Sequence, residues 1–267
     1  MGRTLAGVWA HPDDECYGMF GTVARHAADP AFRLVVLHAT DGDAGEIAPG
    51  VEAVPEQLGS WRRAEDTAAW RALGREPDQH VWLGHPDGRL ADVGDRLVEE
   101  VTDFLRAERP DVVLTFGPDG VTGHPDHIAV GAATERAFHR VRAEHGPGLR
   151  RLLFGCIPQR VFDLEQRRRR QDGTGLWDPS RVFHPRGVPD DQVGVVVRNH
   201  AHVARMLAAL KAHRSQRHVM FDREGTDEEW MLVMRREAWV FAWPPPDRGA
   251  GVLGDVFEGL DDDEAST

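Results

Sequence analysis

Short apolar runs of strand length recur along the first half of the chain, each followed by a longer segment of helical period. Residues 4–10 read as a first buried strand, and residues 15–28 as a helix ended by Asp29-Pro30. Residues 32–39, Phe-Arg-Leu-Val-Val-Leu-His-Ala, make a second strand. A helix over 57–73 stops at Gly74, a residue suited to the left-handed turn that closes helices. The alternation continues with a strand over 80–83, a helix over 93–107, a strand over 111–116, a helix over 128–145 and a strand over 152–156. Strands alternating with helices of this size imply βαβ units and a mainly parallel sheet, so the expected fold class is α/β. In such sheets, binding and catalytic groups gather beyond the carboxyl ends of the strands. The loops starting at Thr40 and Gly84 lie on that rim, and the first of them, over 40–55, is longer than most connections.

Beyond Pro158 the pattern weakens. Residues 167–170 are four consecutive arginines, expected on a solvated helix face or a mobile loop. Residues 192–198 read as a strand and 201–213 as a helix. The Trp- and Met-rich stretch 230–243 reads as helix, then strand, packed on the core and ended by the prolines at 244–246. No internal repeat and no clear linker stand out. The expectation is one domain over residues 1–260 with a C-terminal elaboration from about 158, and an acidic, disordered tail over 261–267.

Composition narrows the function. A chain of 267 residues has room for an ample core, and 41% hydrophobic with 28% charged residues is ordinary for a soluble globular protein. A formal net charge of −12 argues against a nucleic-acid or anionic-membrane partner. No apolar run approaches a membrane span, and the N-terminus lacks the apolar core of a signal peptide. Cys16 and Cys156, the two cysteines, make no disulfide framework, so the expected location is cytoplasmic. The oligomeric state is open, a homo-oligomer included.

Two motifs carry the chemistry. Ala10-His11-Pro12-Asp13-Asp14-Glu15 follows the first strand, and Gly123-His124-Pro125-Asp126-His127 follows the strand over 111–116. A catalytic zinc site usually keeps three protein ligands and one open position. His11 and Asp14, three positions apart at a strand-to-helix turn, can both point inward, and His127 at the start of a later helix can complete the set. Asp13 then stands beside the site as a general base. His124 is placed to stabilise an oxyanion or to protonate a leaving amine. A divalent metal, with zinc as first choice, lowers the pKa of its water to about 7 and polarises a carbonyl. Amide hydrolysis needs both a nucleophile and help for a poor leaving group. Isolated His-Pro-Asp triplets also make turns and helix caps, and His85-Pro86-Asp87 is a third triplet not assigned to the metal. The matched pair of motifs at two strand ends is what favours a metal site.

At these residues the chain resembles the PIG-L, or LmbE-like, family of zinc-dependent N-deacetylases. Its two signature patterns match positions 10–15 and 123–127 without a change, and the segments 83–88 and 211–216 resemble two further family segments. The resemblance runs over roughly 4–220. It implies a Rossmann-like fold, helices on both faces, with the metal at the carboxyl ends of the strands. It implies His11, Asp14 and His127 as metal ligands, Asp13 as general base and His124 as electrostatic catalyst or acid. In a branch of the family that removes acetate from a glucosaminyl-inositol, an arginine three residues before a glutamate holds the sugar. Arg62, before Glu65, matches that position, with Arg63 beside it. Asp87 resembles the carboxylate that binds sugar hydroxyls, and Glu46 matches the rim loop that closes over substrate. Two features depart from the family. That branch carries a tyrosine just ahead of the second motif, where this chain has Thr122; its one tyrosine is Tyr17. A related amidase branch carries a lysine shortly after the first motif, and residues 16–20 contain none.

The implied function is removal of an N-acetyl group from an N-acetylglucosamine-type sugar or its conjugate, a small molecule. The alternatives are a metal amidase acting on a thiol conjugate or an acylated natural product, and a non-catalytic Rossmann-like binding module. The last is disfavoured, because carboxylates replace the glycine-rich turn after the first strand and would repel a pyrophosphate. No Gly-x-Ser-x-Gly elbow supports a serine hydrolase.

Overall fold

The structure is a computed structural model, and it describes residues 3–221, 225–246 and 249–260. The acidic stretch 261–267 lies outside the described residues. In chain order the elements begin β1 (Arg3–Trp9), α1 (Asp14–Gly18), α2 (Phe20–His26), β2 (Phe32–Thr40), α3 (Leu58–Leu73), β3 (Gln79–His85), α4 (Leu90–Val93) and α5 (Asp95–Glu108). They continue β4 (Val112–Phe116), α6 (Gly120–Gly123), α7 (Pro125–Ala143), β5 (Arg151–Gly155), β6 (Ile157–Pro158), α8 (Gln159–Asp172), β7 (Gly187–Val188) and β8 (Val193–Arg198). The last are α9 (Val203–Leu210), α10 (Arg217–Met220), α11 (Asp227–Val233) and β9 (Arg236–Trp243).

Seven strands form one sheet in the order β3-β2-β1-β4-β5-β9-β8. The first five are mutually parallel, and β9 runs antiparallel to both β5 and β8. The mainly parallel α/β sheet expected from the alternating pattern is therefore present, and its one antiparallel strand, β9, comes from the C-terminal part of the chain and lies between β5 and the edge strand β8. β1 and β4 are neighbours, but the chain leaves β1 toward β2 and β3, then returns across to β4. Right-handed crossovers in opposite directions place their helices on opposite faces. In keeping with this, α3 packs with α9, while α5 packs with α7. The reversal makes the carboxyl ends of β1 and β4 a topological switch point, where a crevice opens in sheets of this type. The two signature motifs leave from those two strand ends.

The core explains the strands. Leu5, Val8, Leu34, Val35, Val36, Leu37, Val112, Val113 and Leu114 are fully buried, as expected for parallel strands covered on both faces. Trp9 and Phe116, the last residues of β1 and β4, meet edge to face at 5.1 Å and floor the crevice.

The helix expected over 15–28 is broken in two at Met19, which is extended at φ −161°. Trp9 Nε1 donates to Met19 Sδ at 3.2 Å, and Gly18 lies so close to the Trp9 ring that a Cβ there would come within 2.4 Å of it. The second half then needs an N-terminal cap of its own. Buried Glu237 of β9 accepts from the Gly21 and Thr22 backbone N–H groups at 2.5 and 2.9 Å, and from the Thr22 hydroxyl at 2.6 Å. The cap comes from a residue over two hundred positions away, which no local pattern reveals.

The four arginines lie on α8, not in a loop. Arg168 pairs with Glu165, while Arg169 is buried, donates to the Gly175 carbonyl and stacks over Trp177 at 4.7 Å. No described helix is long and apolar enough to cross a membrane.

Candidate metal centre and active site

The first motif turns sharply as it leaves β1. The Asp14 carboxylate accepts from the His11 backbone N–H at 2.8 Å, and Asp13 takes φ 117°, ψ −22°, a left-handed conformation unusual outside glycine. The second motif follows a bend at Gly120, Val121 and Gly123, which all have positive φ. His124 caps α7: its Nδ1 accepts from the Asp126 backbone N–H at 3.1 Å, and Pro125 takes the first helical position.

Hydrogen bonds fix which imidazole nitrogens are free. His11 Nε2 sits between Asp87 Oδ1 at 3.0 Å and Asp126 Oδ2 at 3.3 Å, so it carries a proton. His11 Nδ1 instead faces Asp14 Oδ2 at 3.5 Å. His127 Nδ1 donates to the Gly120 carbonyl at 3.1 Å, leaving Nε2 to face Asp14 Oδ1 at 3.2 Å. Two ring nitrogens thus converge on one carboxylate, and each ring is held from behind by an acceptor. Metal-bound histidines show this arrangement, in which a carboxylate or carbonyl orients the ring through its other nitrogen. Asp126 is itself anchored by the backbone N–H groups of Gly88 at 2.7 Å and Leu90 at 3.0 Å.

The electrostatics call for a cation. Burial alone would lower the His11 pKa, but Asp126, Asp14 and Asp87 raise it well above the ordinary histidine value. Burial would raise that of Asp14, but His127 and His11 hold it well below the usual carboxylate range. A divalent ion answers the same negative field and displaces a proton from such ligands. The borderline N and O donors here fit zinc and its neighbours. His124 offers an alternative: ring nitrogens of His11, His124 and His127 lie within 4.8 Å of one another, whereas Asp14 belongs to no such mutually close group among the described residues.

Asp13 and His124 flank this cluster. Asp13 Oδ2 accepts from Arg62 Nη2 at 2.9 Å. Burial raises the Asp13 pKa above the usual carboxylate range, although Arg62 works against it. The His124 ring stacks on His127 at 4.6 Å and lies 4.6 Å from His11. Burial, with His11 and His127 beside it, lowers its pKa to about 4, so the ring is neutral near pH 7. Since Nδ1 is the acceptor of a backbone N–H, the ring proton is on Nε2, which is therefore a donor.

The three residues matched to substrate binding fall in different places. Arg62 is 4% exposed, and its terminal nitrogens donate to Asp13, to the Pro12 carbonyl at 2.7 Å and to the Gly42 carbonyl at 2.9 Å. The neighbouring Arg63 pairs with Asp41 and lies over Trp82. Asp87 touches His11 and accepts from the Ala44 N–H at 3.0 Å. Its pKa is lowered to about 2 because His11, with the Ala44 N–H, outweighs burial. The Glu46 side chain is 90% exposed on the rim. An open polar groove of about 360 Å³ runs along this rim, lined by Asp41, Asp43, Gly59, His85 and Pro86 among others. Tyr17 does not stand in for the missing aromatic hydroxyl of the second motif, since its hydroxyl donates to the Met220 carbonyl at 3.0 Å.

Several buried residues behind the site carry no role in the sequence reading. Asp126 lies inside the second motif, and its carboxylate type beside two histidines was the available signal. Glu65 accepts from the Ser215 N–H and hydroxyl at 2.9 and 2.6 Å, and Gln216 Nε2 donates to the Glu46 carbonyl at 3.0 Å. The segment after α9 thereby ties α3 to the rim loop. Glu15, His38, His80 and His213 form a polar chain under the first motif. His38, Asp66 and His80 are close enough to bind an ion. However, the His38 and His80 nitrogens already share a hydrogen bond at 2.9 Å.

This is an α/β protein with a His/carboxylate cluster at the switch point of its sheet. The family model described as GlcNAc-PI de-N-acetylase, PIG-L, matches residues 7–138. A 1D-myo-inositol 2-acetamido-2-deoxy-alpha-D-glucopyranoside deacetylase 2 of Saccharopolyspora erythraea is 32% identical over 240 residues, covering 78% of this chain and 82% of that one. The chain belongs to the PIG-L family. Among solved structures, the conserved protein TT1542 of Thermus thermophilus superposes with a TM-score of 0.59 at 27% identity, covering 91% of this chain and 95% of that one. The 4-carboxy-2-hydroxymuconate hydratase of Pseudomonas putida superposes at 0.63 with 14% identity, covering 93% and 100%. That last likeness is one of fold alone, and it shows that the fold by itself does not decide the reaction.

Proposed function

We propose that the chain is a zinc-dependent N-deacetylase that hydrolyses the acetamide of an N-acetylglucosamine-type sugar or its conjugate. The observation that carries this reading is the convergence of His11 Nδ1 and His127 Nε2 on the Asp14 carboxylate, with each ring oriented from behind. The proposed ligands are His11, Asp14 and His127. When bound, a divalent ion supplies Lewis acidity toward the acetamide carbonyl and a water of pKa about 7. Asp13 accepts the proton of the attacking water at its carboxylate, and burial, by raising its pKa above the usual carboxylate range, makes it the stronger base. Arg62 holds the other end of that contact by pairing with Asp13 Oδ2. His124 donates its Nε2–H to the oxygen that gains charge as the carbonyl is attacked, acting as a neutral donor.

The named relatives act on an acetamido sugar joined to inositol, and the polar rim here suits a polyhydroxyl ligand. Asp87 and Glu46 are the proposed hydroxyl-binding residues, and Arg62 is proposed to serve the sugar through Asp13. Both described cysteines are free, in keeping with a cytoplasmic enzyme. The test is acetate release from N-acetylglucosamine and a panel of its conjugates by the protein as purified, stripped of metal and reloaded with zinc. Zinc-restored release is expected. Metal binding without release from any member would move the reading to an amidase for another acyl group.

A further inference from the structure

We infer that Glu15 is a positioning residue for this reaction: its buried carboxylate holds the Asp13 backbone in the left-handed turn that aims the base. The inference rests on the reading of Asp13 as base. A non-glycine residue at φ 117° persists only where its surroundings over-determine it. Asp13 is gripped from two sides. Its side chain is paired with Arg62, and its backbone N–H donates to Glu15 Oε2 at 3.0 Å.

Glu15 is fully buried and sits next to the ligand Asp14, but none of the contacts among the proposed ligands involves it. Its own position is fixed from three elements. His38 on β2 places Nε2 at 3.0 Å from the same Oε2 that takes the Asp13 N–H. His38 Nδ1 is in turn 2.9 Å from His80 Nε2 on β3. The second oxygen, Oε1, faces His213 Nε2 at 3.4 Å and the Cys16 thiol at 3.7 Å. His213 is 1% exposed and follows α9 in the chain. The sheet and the C-terminal segment therefore meet at the one carboxylate that holds the Asp13 amide.

This arrangement demands an oxygen at the Oε2 position more than a charge. A glutamine at 15 can place its carbonyl oxygen there to accept from both Asp13 N–H and His38, and turn its amide toward His213. An aspartate keeps the charge but withdraws the oxygen by one methylene. The experiment compares kcat, KM, metal content and melting temperature of the zinc-loaded parent with Asp13→Asn, Glu15→Ala, Glu15→Asp and Glu15→Gln, using acetate release. Glu15→Ala and Glu15→Asp are expected to lose on the order of 10²-fold in kcat, as a small misplacement of a catalytic group does, with KM and metal content unchanged. Glu15→Gln is expected to stay within about fivefold of the parent kcat, the scale of one weakened hydrogen bond. If Glu15→Ala fails to fold, Glu15→Asp against Glu15→Gln still decides. Parent-like kcat in Glu15→Asp, or a loss in Glu15→Gln equal to that in Glu15→Asp, overturns the inference. So does a loss carried by metal content. If Asp13→Asn keeps the parent rate, the base reading itself fails; if it is inactive while Glu15→Asp is not impaired, only the present inference fails.

Discussion

Arg62 and Asp13, 49 positions apart, are joined by a 2.9 Å ion pair in which the guanidinium is almost wholly buried. The same Arg62 nitrogen donates to the Pro12 carbonyl at 2.7 Å, so one side chain grips both the proposed base and the residue before it. Removing it leaves a buried carboxylate without its cation. Arg62→Ala is expected to lower kcat by about ten- to a hundredfold, the scale of a lost hydrogen bond to a charged group, while metal content stays at the parent level. Arg62→Lys, a point charge without the second arm that reaches the Gly42 carbonyl, is expected to recover only part of it. Steady-state kinetics with metal analysis checks both, and an effect confined to KM would assign Arg62 to substrate instead.

Asp126 acts at one remove from the cluster. Its Oδ2 is 3.3 Å from His11 Nε2, and both its oxygens are fixed by backbone N–H groups. Asp126→Asn puts an amide NH2, a donor, in place of one of these two accepting oxygens, so it faces a donor whichever way it turns and unsettles the His11 tautomer. A loss of about 10- to 100-fold in zinc affinity is expected, as for other orienting carboxylates. Competition against a chelator of known affinity measures it.

His124 and His127 are stacked neighbours but should answer differently to mutation. His127 Nε2 faces Asp14, whereas His124 Nδ1 is engaged as the cap of α7. His127→Ala is expected to abolish stoichiometric metal binding. His124→Ala is expected to keep the metal and lose about 10²–10³-fold in kcat, the scale of one missing oxyanion donor. Metal loss in His124→Ala would instead select the three-histidine set of His11, His124 and His127.

The sequence made much of this site legible because its chemistry is local. In each motif the turn and the proposed ligands are close in sequence, so a pattern of five or six residues carries both the geometry and the donors. The parallel sheet was legible for a similar reason: strands buried on both faces, such as β2, read as continuous apolar runs. What could not be read depends on distant pairing. The break at Met19 depends on Trp9 beneath it and on Glu237 from the C-terminal strand β9. The placement of Arg62 on Asp13, and not toward open solvent, depends on how α3 lies across the first motif. The antiparallel strand β9 lies beyond the alternating region, and its place between β5 and β8 is not implied by chain order.

His80 makes stability depend on pH. Burial, with the neighbouring His38, lowers its pKa from 6.5 to about 3. In the folded protein it stays neutral where the unfolded chain has already taken up a proton. Its contribution is therefore complete above about pH 6.5 and is lost progressively as the pH falls toward 3. His80→Gln keeps a donor for His38 Nδ1 and removes the titration. The melting temperature of this variant is expected to fall less steeply than that of the parent between pH 6.5 and 4, the window set by the shift at His80. Parallel curves for the two proteins would show that the acid sensitivity lies elsewhere.

Phe183 stands at the mouth of the site. It is 66% exposed and takes φ 66°, a left-handed conformation that an aromatic residue rarely adopts. Its ring meets His124 edge to face at 5.0 Å. The loop that carries it is tied to the bend before the second motif, with Arg186 N–H donating to the Val121 carbonyl at 2.8 Å and Arg186 Nη1 to the Asp119 carbonyl at 3.2 Å. An exposed ring fixed in this way gains its burial when an apolar part of the substrate covers it. Phe183→Ala is therefore expected to lower kcat/KM about tenfold for conjugates carrying an aryl or alkyl group, the scale of one aromatic contact of ~1.5 kcal/mol, and to leave free N-acetylglucosamine near the parent value. The check is the ratio of kcat/KM for an aryl N-acetylglucosaminide to that for the free sugar, measured in parent and variant. An unchanged ratio would remove Phe183 from substrate selection and leave the polar groove beside His85 and Pro86 as the surface that reads the conjugate.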